Sequence, residues 1–163
     1  KTVMRRYDGR AAAVTAGIGH GGIEAISITA VSLALSLVFA LCWNAGDTDA
    51  LLRLAGSAET AQTVAASLGK YTVGYCLLAC LERVSAMLLH ISLSVFVFAA
   101  ARSRAKRGYL AFAIGLHAIF DMPAALYQFG YVKQLFPVEL WLAVCALYAL
   151  RSARKCYLEE CDA

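Results

Sequence analysis

Charged positions along the chain fall in short clusters, and long uncharged stretches run between them. Ala25 to Gly46 contains no Asp, Glu, Lys or Arg, and neither does Val84 to Ala101. Roughly 17 to 25 apolar residues wound as an α-helix cross about 30 Å of hydrocarbon, so both stretches read as membrane spans. Extended to their polar borders they cover about Ala11 to Trp43 and Lys70 to Ala101, the second interrupted by Glu82 and Arg83. A third span is expected over about Tyr109 to Phe129, with Pro123 inside it, and a fourth over about Pro137 to Leu150. Between the first two, Asn44 to Gly69 reads as a polar, Ala/Thr-rich loop in which Leu51, Leu52 and Leu54 form a short interfacial helix. No repeat or low-complexity linker divides the chain. The pattern predicts one all-α integral membrane domain over residues 1–163, a polytopic transmembrane helix bundle with about four spanning helices.

The first segment is longer than a bilayer needs at 1.5 Å per residue. Its beginning, with Gly17, Gly19, Gly21 and Gly22, is therefore expected to lie in a cavity on the cytoplasmic side or to depart from regular helix. The chain opens with Lys1 instead of Met, and a fragment lacking earlier helices is expected.

Composition narrows the class. Of 163 residues 61% are apolar and 16% charged, and the mean hydropathy is +0.65. A water-soluble enzyme does not expose that much apolar surface. The first apolar run far exceeds the 7 to 15 residues of a signal-peptide core, so it is not read as one. The net charge of +4 carries less information than its placement. Three clusters, Lys1/Arg5/Arg6/Arg10, Arg102/Arg104/Lys106/Arg107 and Arg151/Arg154/Lys155, hold 11 of the 15 Lys and Arg residues. The positive-inside rule puts all three on the cytoplasmic face, with Asn44 to Leu68 and Phe129 to Glu139 on the other. Four crossings satisfy this and leave both ends of the chain cytoplasmic, in a bacterial-type cytoplasmic membrane. The expected surroundings are membrane lipid, and nucleic acid is excluded as a partner. Cys42, Cys76, Cys80, Cys145, Cys156 and Cys161 form no C-x-x-C pair; Cys156 and Cys161 are expected in the reducing cytoplasm, and the other four read as small buried packing residues. Glu159, Glu160 and Asp162 make a solvated acidic tail.

Candidate chemistry lies inside the spans. His20, His90 and His117, the three histidines of the chain, all fall there, together with Glu24, Glu82, Arg83 and Asp121. An ionised group near the bilayer centre costs roughly 2.5 to 3.5 kcal/mol on insertion scales, so these residues need one another, a cavity or an ion. His20 and Glu24 are spaced i, i+4, as are His117 and Asp121, and each pair shares a helix face. Depth agrees. His20 is 10 residues from Arg10 and His117 is 10 from Arg107, roughly 15 Å each. His90 is 12 from Arg102, roughly 18 Å, and Glu24 and Asp121 are 14 residues in, roughly 21 Å. Glu82 lies about 12 Å deeper than His90 on another face of its helix, at the edge of this layer. Arg83, adjacent to Glu82, is expected to anchor a different carboxylate or polarise a bound carbonyl, because i, i+1 residues do not face each other. Imidazoles and carboxylates converging from three helices suit a catalytic zinc ion with an open position for water, with Glu24 nearest as general base. The alternative is a non-catalytic protein or transporter whose polar layer binds a proton, a cation or a partner helix.

Gly17 and Gly21 make a small-x-x-x-small step that lets helices approach closely, with local unwinding as the rival reading. The glycines are not a phosphate loop, since no Gly-Lys-Ser/Thr ending follows. Pro123 is expected to kink the third span just past Asp121, and the freed carbonyl would open room for substrate.

Gly19-His20-Gly21-Gly22-Ile23-Glu24, then Glu82-Arg83 with His90, then His117-Ala-Ile-Phe-Asp121, in that order, resemble the YhfC family of intramembrane metalloproteases. That family is distantly similar to the group of type II CAAX prenyl proteases and Abi proteins. The likeness runs from about Gly9 to Gln128. It implies a zinc-dependent endopeptidase that cleaves a peptide bond in a membrane-associated peptide or protein. It further implies His90, His117 and Asp121 as metal ligands, Glu24 as the catalytic glutamate, and Glu82 with Arg83 positioning substrate or supporting a ligand. His20, one turn before Glu24, stands as a further ligand or as a partner of one.

Overall fold

The structure is a computed structural model, and it describes residues 11–69 and 71–159. Expectations placed on Lys1, Arg5, Arg6, Gly9, Arg10, Lys70, Glu160, Cys161 and Asp162 lie outside the described residues. Among those described there is no strand. Seven α-helices follow in order: α1 (Ala11–Glu24), α2 (Val31–Ala45), α3 (Thr48–Ala55), α4 (Ala58–Leu68), α5 (Val73–Arg102), α6 (Gly108–Gln128) and α7 (Leu135–Glu159). Four helical stretches are long and apolar enough to cross a membrane: Ala11–Ala45, Val73–Arg102, Arg104–Gln128 and Leu135–Leu158. The chain is an all-α polytopic membrane protein.

The details depart from the sequence reading in four places. The first long segment is irregular, but not at its start. α1 is regular helix, and a π-helical turn, Ala25–Ala30, joins it to α2 immediately after Glu24. Ile26, Ile28 and Thr29 are β-branched and crowd the preceding turn, and the hydroxyls of Ser27 and Ser32 donate to the Glu24 and Ile28 carbonyls. Such turns often occur beside functional sites. Second, α5 runs unbroken through Glu82 and Arg83 for 30 residues, about 45 Å. Third, the segment Asn44 to Gly69 holds two helices where one was expected. Asp47 accepts the Ala50 N–H at 2.9 Å and Ser57 accepts the Thr60 N–H at 3.1 Å, each capping a helix start. Gly46 and Gly56, at φ 70° and 76°, end the helices before them. Fourth, α7 extends beyond both ends of the expected span, so the basic residues Arg151, Arg154 and Lys155 sit on it.

The chain divides into two compact units, one made of the described residues up to Gly22 and from Cys80 onward, the other of Ile23–Ala79. The core of the first is built on α5, whose residues Ser85, Leu89, Ser92, Phe96 and Ala99 line one helical face. On α7 a matching stripe, Val138, Leu142, Ala146, Ala149 and Ala153, is buried, and α6 adds Ala113, Leu116 and Phe120. The alanines are what permit close helix packing in lipid, where apolar burial gives no net gain over the acyl chains. In the second unit Phe39, Leu51 and Ala61 form a small core. Outward positions such as Leu35, Leu41, Ile114, Met122, Val144 and Leu147 are exposed and apolar, as a lipid-facing surface requires.

Candidate metal centre

The approach of α1 to α5 decides where the imidazoles meet. A β-carbon at Gly17 would fall 2.5 Å from the Ile91 Cα and 2.9 Å from the His90 carbonyl oxygen. At Gly21 it would meet the Met87 sulfur at 3.0 Å and the His90 Cβ at 3.2 Å. Nothing stands within 4 Å of the same position on Gly19 or Gly22. The small-residue step is therefore a notch in α1 that receives the backbone of α5 at His90, as expected from the spacing.

That approach sets the His20 ring against the His90 ring, with centroids 4.8 Å apart at 65°. On its other side His90 meets His117 of α6, at 5.2 Å and 75°. His90, only 4% exposed, is the central imidazole of a row of three. His117 Nδ1 lies 2.8 Å from Asp121 Oδ2, one turn further along α6. A carboxylate on one imidazole nitrogen fixes the ring and turns the other nitrogen toward a ligand position. The α6 helix continues through Pro123 to Gln128. Glu24, the last residue of α1, stands one turn beyond His20. His20, His90 and His117 thus bring imidazoles from α1, α5 and α6 to one place, with the Asp121 carboxylate on the outermost.

Glu82 and Arg83 are placed elsewhere. They lie about two turns nearer the start of α5 than His90, with Glu82 about 12 Å away along the axis. The expectation for Arg83 is corrected: its guanidinium Nη2 closes on Glu82 Oε1. Adjacent residues do not share a face, but a half-buried guanidinium on a long side chain folds back, because an unpaired charge there is costly. One polar residue has no place in the expected site. The charge pattern puts Glu139 with the segment outside the membrane, yet its side chain is 2% exposed, and its Oε2 has no hydrogen-bond partner among the described residues. Its position two residues past Pro137, inside an expected span, is the signal that could have found it.

The donor chemistry fits zinc. Two imidazole nitrogens and a carboxylate oxygen are ligands zinc accepts at about 2.0 to 2.2 Å, which in a tetrahedron puts donors roughly 3.4 Å apart. Imidazole rings with centroids 4.8 and 5.2 Å apart, the last carrying a carboxylate at 2.8 Å, reach that spacing by small side-chain rotations.

Comparison with known proteins gives the family. The sequence profile of the YhfC intramembrane metalloprotease family matches residues 1–142. The membrane protein YhfC of Bacillus subtilis (strain 168) is 35% identical over 144 residues, an alignment covering 88% of this chain and 55% of that protein. The chain thus spans about half the length of that relative. No solved structure matches. With the ordered motifs on α1, α5 and α6 inside the matched region, the chain belongs to the YhfC intramembrane metalloprotease family.

Proposed function

We propose that the protein is a zinc-dependent intramembrane endopeptidase that hydrolyses a peptide bond in a membrane-associated substrate. The observation that carries this reading is the row of three imidazoles, His20 against His90 at 4.8 Å and His90 against His117 at 5.2 Å between ring centroids, with Asp121 on His117. His90 is the principal ligand. His20 lies on one side of it, and on the other lies His117, its ring held by Asp121. Asp121 serves as the partner that orients His117 or, by rotation, as a ligand itself. A bound Zn2+ would supply a Lewis acid and a water acidic enough to attack near neutral pH.

The chain's own groups do the rest. Glu24 stands one turn beyond His20 on α1, at the start of the π-helical turn, where its carboxylate would take a proton from the attacking water and return it to the leaving amine. The Glu82–Arg83 pair lies deeper along α5, where it supports the site's edge and positions substrate. The site opens toward the side bearing the basic clusters, which is the cytoplasmic side.

Metal content of the full chain, purified in detergent without chelator, tests the assignment. About one zinc per chain is expected, falling to near zero in His90→Ala. Equal and negligible zinc in both proteins overturns the reading and leaves a polar layer for proton, cation or partner-helix binding. Glu24→Gln separates the roles, with an expected loss of peptide cleavage while zinc is retained.

A further inference from the structure

Glu139 takes no part in the site above, and it sits where a carboxylate is hardest to keep. It lies in the second turn of α7, flanked by the core residues Val138 and Leu142, and Oε2 is without a hydrogen-bond partner among the described residues. The charged groups that act on it are Glu82 and Arg83, both contributed by α5. α6 also packs against α7. One guanidinium therefore serves two carboxylates, and it is already engaged by Glu82. A second ionised carboxylate would be an uncompensated charge inside a membrane span, where it is far more costly than a neutral acid.

We propose that Glu139 is a proton-binding site, carrying one proton as a neutral carboxylic acid within the span beside the Glu82–Arg83 ion pair. The step is simple to balance. A hydronium ion of the aqueous phase gives its proton to a carboxylate oxygen of Glu139; one O–H bond breaks, one forms, water is left behind, and the three side chains pass from a net charge of −1 to zero. No second positive group is needed, and the orphaned oxygen becomes either a donor or half of a neutral acid. Arg83 decides which carboxylate stays ionised. Paired with Glu82, it leaves the proton to Glu139; with Glu82 neutral, Glu139 becomes its remaining carboxylate partner. Glu82 lies about 12 Å along α5 from His90, so the proton site is separate from the imidazole row.

Infrared spectra of the full chain in lipid nanodiscs at pH 7, in H2O and D2O, test this without any substrate or metal. The native protein is expected to show the deuterium-sensitive carbonyl stretch of one protonated carboxyl per chain that is absent from Glu139→Gln, whose amide has the same shape and no charge. Zinc content is expected to be the same in both. A native spectrum without such a band, or an undiminished band in Glu139→Gln, overturns the proposal. If Glu139→Gln does not fold, Arg83→Gln carries the test: with the guanidinium gone, Glu82 also takes up a proton and the band is expected to about double. An unchanged band in Arg83→Gln overturns the proposal equally.

Discussion

The segment Ala11–Ala45 and helix α5 are both apolar enough to span a membrane, yet half of the most apolar window of α5 is buried in protein and only 6% of the corresponding window of the first segment is. Hydropathy reports that a segment is content in lipid. It says nothing about which face meets lipid and which meets another helix. That difference is written in smaller features: serines and alanines along one face of α5, where Ser92 donates to the Leu88 carbonyl at 2.6 Å, and glycines at two positions of α1. The exposed leucines of α2 carry no such pattern.

Substitutions can break the comparison. The largest effect is expected from Phe96→Ala on α5, which empties a nearly fully buried position; about 3 kcal/mol of stability is lost, read as a lower midpoint in denaturing-detergent unfolding. Next comes Gly17→Ala. Its methyl would strike backbone, not a movable side-chain end, so α1 must shift from α5 at a cost of about 2 kcal/mol, and the zinc content should fall with it. Asp47→Ala, which removes a helix cap, is expected to cost about 1 kcal/mol, seen as earlier hydrogen exchange in α3. Gly19→Ala sharpens the contrast with Gly17, since the same methyl enters open space and the helix gains a few tenths of a kcal/mol up to about 1 kcal/mol. The smallest effect belongs to Leu35→Ala on α2, where a side chain 61% exposed loses contact only with lipid and the unfolding midpoint should stay within about 0.5 kcal/mol. A large loss at Leu35 would show that the surface read as lipid-facing covers another protein.

Much of this was legible in the sequence because period and charge are strong signals in a membrane. The four spans follow from long apolar runs that hold few charges. The i, i+4 spacing places His117 with Asp121 and His20 with Glu24, and equal distances from basic residues place His90 at their depth. What the sequence hid has physical causes. The π-helical turn at Ala25–Ala30 depends on how a β-branched run settles against its neighbours, which no fixed period reveals. α4 is polar and Ala-rich, so it has no hydrophobic stripe to announce it, and only Ser57 ahead of it signals a start. Arg83 turns back to Glu82 because a flexible side chain can defeat a rule drawn for β-carbons. Glu139 is hard to place because one carboxylate at the end of a span looks the same in sequence whether it faces water or the protein interior.

The notch at Gly17 has a consequence for ancestry. A position where even a methyl collides with the neighbouring backbone admits one amino acid, whereas Gly19 and Gly22, nearby in the same glycine run, are free to drift. Across the relatives of this chain, variation in that run should therefore be lopsided, with Gly17 kept wherever the histidine of α5 is kept and lost in lineages that have abandoned it.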